Sequence, residues 1–345
     1  MYNEINKSLT RCPLKAMIFV NADLDKSVPL TKAALKLANK IEGFEVVGIC
    51  ETAAYAQTDV SGFRGMSNAL ITRTAKKVFN FATPISFRGC LSGSLSSLAC
   101  RYRVGHIVPP NRNINHADFA EFVRNEVAAN IAFCFGCTQI FRRELIDAFD
   151  VCVNLHSGIL PKYRGWMATQ WSVYFREADT GYCFHHMSEE VDQGPIICSG
   201  TIPVENRSPK CLEYDKAVVA GKQLLRVLQA VADGNPGKPQ QGISRKFDKK
   251  DVAAIQLIEN PATLDFQEIQ HRIRSFDGIW LAVNGDMHYV TKVKRLKLGV
   301  KASHSFVTKD RVTVLATRFN YLPFAVYRLL NRIGVEHLPV MQLSD

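Results

Sequence analysis

An asparagine and a histidine two residues apart, Asn154 and His156, end a short apolar run over residues 151–155, and a carboxylate, Asp192, follows in a tight Val191-Asp192-Gln-Gly194 turn. Residues two apart on a strand project from the same face. An amide, an imidazole and a carboxylate held together could serve attack of an amine on a carbonyl carbon. In such a step the amine sheds a proton, the carbonyl oxygen gains negative charge, and the leaving group must be protonated. A histidine titrates near neutrality and can take the proton. An asparagine side chain can donate a hydrogen bond to the developing oxyanion. A carboxylate can hold the imidazole and favour its protonated form. Alone, an Asn-x-His pair is more often a cap and a Val-Asp-x-Gly string more often a turn; the combination is what points to chemistry.

The elements around these residues read as a wound α/β sheet. Strand and helix signals alternate through the first 205 residues, the pattern of a Rossmann-like, mostly parallel sheet. Short apolar runs at 16–22, 44–50, 105–108, 130–135 and 151–155 suit buried strands. Helices are expected after Pro29, with Leu30, Ala33, Leu37 and Ile41 on one face and Gly43 closing it, then at 117–127, near 142–149 and at 166–177. Asn154 and His156 then sit at the carboxyl edge of a parallel sheet, where ligand crevices form. Two further strands, 182–187 and 195–204, bracket the Asp192 turn and offer its carboxylate to that edge, and a long amphipathic helix follows from about Lys210 to Ala232. The Asp233-Gly-Asn-Pro-Gly-Lys-Pro stretch marks a boundary. The expected organisation is a catalytic domain over 1–240, a small basic α+β module over 241–300, with a helix at Phe266–Phe276 and a hairpin turning at Asn284-Gly285, and an extension over 301–345. Residues 51–103 are the least legible, although 69–79 could form a basic helix. A terminal helix is expected near 324–333.

The segment from Val153 to Gly165, VNLHSGILPKYRG, resembles the folate-dependent formyltransferase family, whose hallmark is Asn-x-His, a Ser-Leu-Leu-Pro-x-x-Arg-Gly-like loop and then an Asp-x-Gly turn. The resemblance implies that Asn154, His156 and Asp192 fall on the family's catalytic triad and that N10-formyltetrahydrofolate is the formyl donor. The stretch from Phe135 to Phe141 is similar to the loop bordering the folate pocket. Phe135, Gly136, Gln139 and Ile140 are therefore expected on the cofactor, joined by Ser188, Glu189, Val191 and Gly194 from the turn, which would grip the pterin through backbone groups. Lys162, Tyr163 and Arg164 border the triad and are expected on substrate; Trp166, Trp171 and Trp280 read first as packing residues, with Trp280 also a candidate to touch a nucleotide base. The likeness is good over about 105–205, moderate over 16–50 and weaker over 245–297. Ser157-Gly158-Ile159 replaces the commoner Ser-Leu-Leu, and Ala168 stands where many members have proline; neither removes a chemical group.

Composition narrows the partner. The 345 residues are 47% hydrophobic and 22% charged, as in an ordinary globular protein, and carry a formal net charge of +11, which favours an anionic partner. There is no run of about 18 apolar residues and no signal-peptide pattern, so no membrane span is expected and the cytosol is the expected compartment. Most of the ten cysteines, Cys50, Cys134, Cys152, Cys183 and Cys198 among them, read as small buried hydrophobes, and the lone Cys134-x-x-Cys137 pair cannot supply four metal ligands; no metal is expected. His185 and His186 read as structural. The resemblance leaves several amines open. A nucleotide-linked amino sugar ranks first. Methionyl-tRNA comes next, although its enzymes carry a basic Arg-Gly-Arg-Gly-Lys-Lys insertion where this chain reads Glu51-Thr-Ala-Ala-Tyr-Ala-Gln-Thr-Asp. Hydrolysis of formyl-folate, and a non-catalytic nucleic-acid-binding module, are the remaining readings. No glycine-rich loop follows the first strand, which argues against glycinamide ribonucleotide. A homodimer is left open.

Overall fold

A computed structural model describes Leu9 and residues 13–21, 27–52, 95–283, 286–296 and 305–320. The expected basic helix at 69–79, the Asn284-Gly285 turn and the helix near 324–333 lie outside the described residues.

The chain opens with β1 (Leu14–Val20), α1 (Ser27–Ala38) and β2 (Phe44–Glu51). Leu30, Ala34 and Leu35 of α1 are buried, and Gly43 (φ +82°) turns the chain into β2. There follow α2 (Leu95–Tyr102), β3 (Gly105–Ile107), α3 (Ala117–Phe122) and β4 (Ile131–Cys134). The helix expected to run unbroken to Val127 instead changes to a π turn at Val123–Val127 and stops where Ala128 adopts a left-handed conformation. Next come α4 (Arg143–Ile146), β5 (Val151–His156), the two-residue β6 (Arg164–Gly165) and α5 (Ala168–Tyr174). α5 is shorter than its sequence pattern because Arg164 and Gly165 pair as a strand and Met167 is left-handed. β7 (Asp179–His186), β8 (Ile196–Pro203) and the 24-residue α6 (Pro209–Ala232), capped by Ser208, complete this part.

These strands form one seven-stranded sheet in the order β3-β2-β1-β4-β5-β7-β8. β3, β2, β1, β4 and β5 are parallel, while β7 and β8 are antiparallel additions. Ile18, Val20, Phe133, Val153 and Phe184 pack on one face against Leu30, Leu35, Leu224 and Leu228 of α1 and α6. Met17, Phe19, Ala132 and Cys152 pack on the other against Phe119, Phe141 and Leu145. This is the expected mostly parallel, doubly covered α/β sheet.

The remaining elements are β9 (Lys246–Phe247), α7 (Lys249–Gln256), β10 (Leu257–Ile258), α8 (Phe266–Phe276), β11 (Ile279–Val283), β12 (Asp286–Arg295), β13 (Ser305–Val307) and β14 (Thr313–Asn320). Five of them form a second sheet, β10-β11-β12-β14-β13, with Ile269, Ile279, Leu281 and Val290 in its core. The sheet of the small module thus draws two strands, β13 and β14, from beyond residue 300.

The two sheets are stitched together beside the candidate site. β6 pairs in parallel with β9, and Trp171 stacks on Phe247 with centroids 4.3 Å apart. Tyr163, Trp171 and Phe276 close an apolar cluster between them. Gly165 is fixed by this seam: it sits at φ +83°, and a Cβ there would stand 2.3 Å from the Phe247 carbonyl oxygen. Gly165→Ala is therefore expected to destabilise the protein by about 1–3 kcal/mol through backbone strain and crowding. A denaturant titration checks this, and an unchanged midpoint would contradict the strand pairing.

Candidate active site

β5 delivers Asn154 and His156 to one face, as expected. Cross-strand register adds a third group. β7 runs antiparallel to β5 with His185 directly opposite Asn154, and paired residues project to the same side. The Asn154 amide nitrogen lies 3.0 Å from His185 Nε2, and His185 Nδ1 lies 2.8 Å from the His186 carbonyl oxygen. That carbonyl can only accept, so Nδ1 carries a proton, while Nε2 faces both the Asn154 amide and Asp192 Oδ1, the latter at 3.5 Å. His185, only 2% exposed, thereby packs against both Asn154 and Asp192. The sequence reading missed it. The signal was present only in the antiparallel pairing of two strands about 30 residues apart.

Asp192 arrives differently from the expectation. Because β7 is antiparallel, the turn after it leaves the sheet beside the start of β5, where the Met187 N–H donates to the Cys152 carbonyl, rather than beside its carboxyl end. The turn folds back to bring Asp192 Oδ2 to 3.2 Å from His156 Nδ1 and Oδ1 to 3.4 Å from the Asn154 amide nitrogen. It is pinned from three directions. The Gly165 N–H donates to Asp192 Oδ2 at 2.7 Å, Arg164 donates to the Val191 carbonyl at 2.9 Å, and Gln240 donates to the carbonyls of Asp192 and Gly194 at 2.8 and 2.9 Å. Gly194 lies so close to β7 that a Cβ would fall 1.7 Å from the His186 carbonyl oxygen.

Electrostatics follow from this packing. Burial alone would raise the Asp192 pKa, but the charge of His156, the hydrogen bond and charge of His185 and the Gly165 N–H more than reverse it, holding the carboxyl well below the usual range. On its other side, His156 Nε2 lies 2.5 Å from the Tyr163 carbonyl. A main-chain carbonyl only accepts, so Nε2 carries a proton, and an ionised Asp192 facing Nδ1 calls for a second. The geometry is that of an imidazolium–carboxylate pair, both partners 9% exposed or less, beside an amide donor. Such a pair holds a proton that it can give up at once, and the amide beside it can donate to a carbonyl oxygen that gains negative charge. The pair can take a proton back only after giving one up.

Several expected contact residues are engaged elsewhere. Tyr163 is buried; its ring stacks between Phe175 and Phe247 and its hydroxyl donates to Glu177 at 2.6 Å, so its carbonyl, not its side chain, serves the site. Lys162 pairs with Glu177 at 2.6 Å. Arg164 spends its guanidinium on Val191 and on Ser244. Phe135 is fully buried against Phe133. Gln139 donates to the Arg112 carbonyl and accepts from the Ile114 N–H, which fixes the loop internally, while the Gly136 carbonyl accepts from Asn21. Ser188 donates to the Glu190 carbonyl and Glu189 pairs with Arg143 at 3.1 Å. Ile140, 62% exposed, is the expected loop side chain that remains open to a ligand. Trp280 lies in the second sheet, 3% exposed with its ring against Tyr289, a packing position rather than a place to stack a base. Burial pushes the thiols of Cys152 and Cys183 up to about 12 and about 11, which makes them unreactive. Among the described residues, no group of three or more His, Cys, Asp or Glu is placed to hold a metal ion, and no helix is long and apolar enough to cross a membrane.

Comparison with known proteins meets this geometry. A family model described as formyl transferase matches residues 99–226. The methionyl-tRNA formyltransferase of Latilactobacillus sakei is 29% identical over 189 residues, 52% of this chain and 57% of that protein; the chain thus spans little more than half the length of this relative. The crystal structure of an N-formyltransferase from Helicobacter canadensis, in complex with folinic acid and dTDP-3-aminofucose, shares the fold with a TM-score of 0.54 at 16% identity, covering 88% of this chain and 98% of that one. HypX from Aquifex aeolicus, in complex with tetrahydrofolic acid, gives a TM-score of 0.56 at 13% identity over 95% of this chain and 50% of its own. Running from within α2 to within α6, and holding Asn154, His156 and Asp192 in contact, residues 99–226 are a formyl transferase domain.

Proposed function

We propose that the chain transfers a formyl group from N10-formyltetrahydrofolate to the primary amine of a nucleotide-linked amino sugar. The observation that carries this reading is the contact of Asn154, His156 and Asp192 inside the matched domain. The centre fits the reacting end of the donor, since a formyl oxygen needs a hydrogen-bond donor and the Asn154 amide, whose contact with Asp192 Oδ1 is long at 3.4 Å, can turn an N–H to it. Ile140 is the loop side chain open to the carrier, and the turn over residues 188–194 would border it with carbonyls at 190, 191, 192 and 194 already held by Ser188, Arg164 and Gln240, while Phe135 and Gln139 are spent internally.

Bound there, the donor supplies an electrophilic formyl carbon and a nitrogen that must leave protonated. Asn154, by turning the N–H of its longer contact away from Asp192 Oδ1, donates to the oxygen as its charge grows. The Tyr163 carbonyl holds the Nε2 proton of His156, so proton movement passes through Nδ1 and Asp192 as one unit. This unit starts charged: it releases a proton first and recovers one from the amine second. The role of His156 as base, expected from its type, becomes the second half of its work.

For the amine, two features favour a sugar nucleotide over tRNA. The segment that starts at the end of β2, Glu51-Thr-Ala-Ala, is not basic, and Arg245 and Lys246 place cations at the start of the strand paired with β6, whose Gly165 N–H donates to Asp192, a supply of charge suited to a diphosphate. The test is a screen of amino-sugar nucleotides and charged initiator tRNA with formyl-folate. Formylation of an amino-sugar nucleotide is expected, with KM rising only shallowly with salt, because few phosphates are contacted. Formylation of tRNA alone with a steep salt dependence would overturn the substrate. Formate release without amine would overturn the transfer.

A further inference from the structure

Behind the loop that follows His156 lies a buried ion pair that the chemistry above does not use. Lys216, on α6, is 2% exposed. Its ammonium donates to the Ser157 carbonyl at 2.7 Å and to the Thr169 hydroxyl, and lies 3.2 Å from the Glu213 carboxylate. Glu213 in turn accepts from the Ser157 hydroxyl at 2.9 Å and from the Thr169 hydroxyl. Taking an ammonium out of water costs several kcal/mol, and an apolar side chain would fill the same space without that cost. What the pair does, and an apolar residue could not, is hold two places in the chain together. Ser157 directly follows His156, and Thr169 lies in the first turn of α5. Between them run the Tyr163 carbonyl, which accepts from His156 Nε2, and the Gly165 N–H, which donates to Asp192.

We propose that Lys216 and Glu213 are positioning residues for the reaction: by clamping Ser157 to Thr169 they close residues 157–169 into a ring whose inward main-chain groups set the orientation of His156 and Asp192. The effect on turnover rests on the formyl-transfer reading; the effect on the His156 ring rests on geometry alone. α6 thereby takes part in the site from the side away from the reacting groups, through a bond to main chain and not to a catalytic side chain.

The experiment combines kinetics with nitrogen NMR of labelled histidine in the full chain, comparing the native protein with Lys216→Met and Glu213→Gln. A loosened loop displaces His156 by a fraction of an ångström, and a misplacement of about 1 Å can cost about 100-fold. We expect kcat to fall roughly 10- to 100-fold in Lys216→Met, with KM for donor and acceptor little changed. The His156 Nε2 resonance should move away from its hydrogen-bonded position, while those of His106 and His116, which bond Glu51 and Asp118 in other elements, stay in place. Glu213→Gln, which keeps the shape and loses the charge, should move both readouts in the same direction by less, and it decides the matter should Lys216→Met not fold. Native His156 resonances and native kcat in either folded variant would overturn the proposal. If the native protein transfers no formyl group, the functional reading fails by itself, and the NMR comparison still decides the clamp.

Discussion

Replacing His156 with alanine is expected to lower formyl transfer by about 10²–10⁴-fold, the range for loss of a positioned proton carrier. The side chain is 7% exposed and makes two directed polar contacts, so the loss belongs to chemistry only if the fold survives; circular dichroism and melting check this. Asn154→Ala should cost about 10²–10³-fold by removing one donor from the oxyanion. The two should also differ in how pH changes what remains. In Asn154→Ala the His156–Asp192 unit still titrates, so the pH profile keeps its shape at reduced height. In His156→Ala the ring that moves the proton is gone, and the residual rate should lose that limb. Near-native turnover in either variant would remove the mechanism.

Asp192→Asn is expected to be the most damaging single change at the site, because it strikes stability and turnover together. It removes the acceptor shared by His156, Asn154 and the Gly165 N–H and leaves a buried imidazole facing an amide. Breaking a buried pair by removing one partner costs about 3–5 kcal/mol. The pH dependence follows from the depressed pKa of Asp192. A carboxyl whose pKa is lower folded than unfolded contributes stability above its unfolded value and loses it as pH falls towards its folded value. The native protein should therefore exceed Asp192→Asn in stability by a constant margin from neutrality down to about pH 4, the ordinary range for aspartate, and the margin should shrink only below that. Denaturant titrations across this range measure it. A margin already lost by pH 6 would mean that the carboxyl is not held ionised.

The legible part of this site was local. Asn154 and His156 sit two apart on a strand whose apolar run is plain, and α6 and α8 carry periodic faces that mark their extents closely. What stayed hidden depends on partners far along the chain. His185 looks like an ordinary strand histidine until β7 is known to lie antiparallel to β5 with Asn154 opposite. Tyr163, beside two cations, reads as a surface residue until β9 supplies Phe247 to cover it. Gln139 has the polarity of a ligand contact, yet main-chain groups of residues 112 and 114 consume both ends of its amide. Trp280 suggested a base platform because its cover, Tyr289, belongs to the next strand of the sheet. Lys216, in a helix read as simply amphipathic, gave no sign of burial, since the fold brings Ser157 and Thr169 to it beside Glu213.

The unity of the charged pair is tested most directly by a double-mutant cycle on turnover with His156→Ala, Asp192→Asn and the two combined. If proton release and recovery run through His156 Nδ1 and Asp192 as one unit, the double variant should be no slower than the worse single variant, because either change already disables the whole. Losses that multiply, each residue costing its full factor in the absence of the other, would show two independent groups and contradict the account.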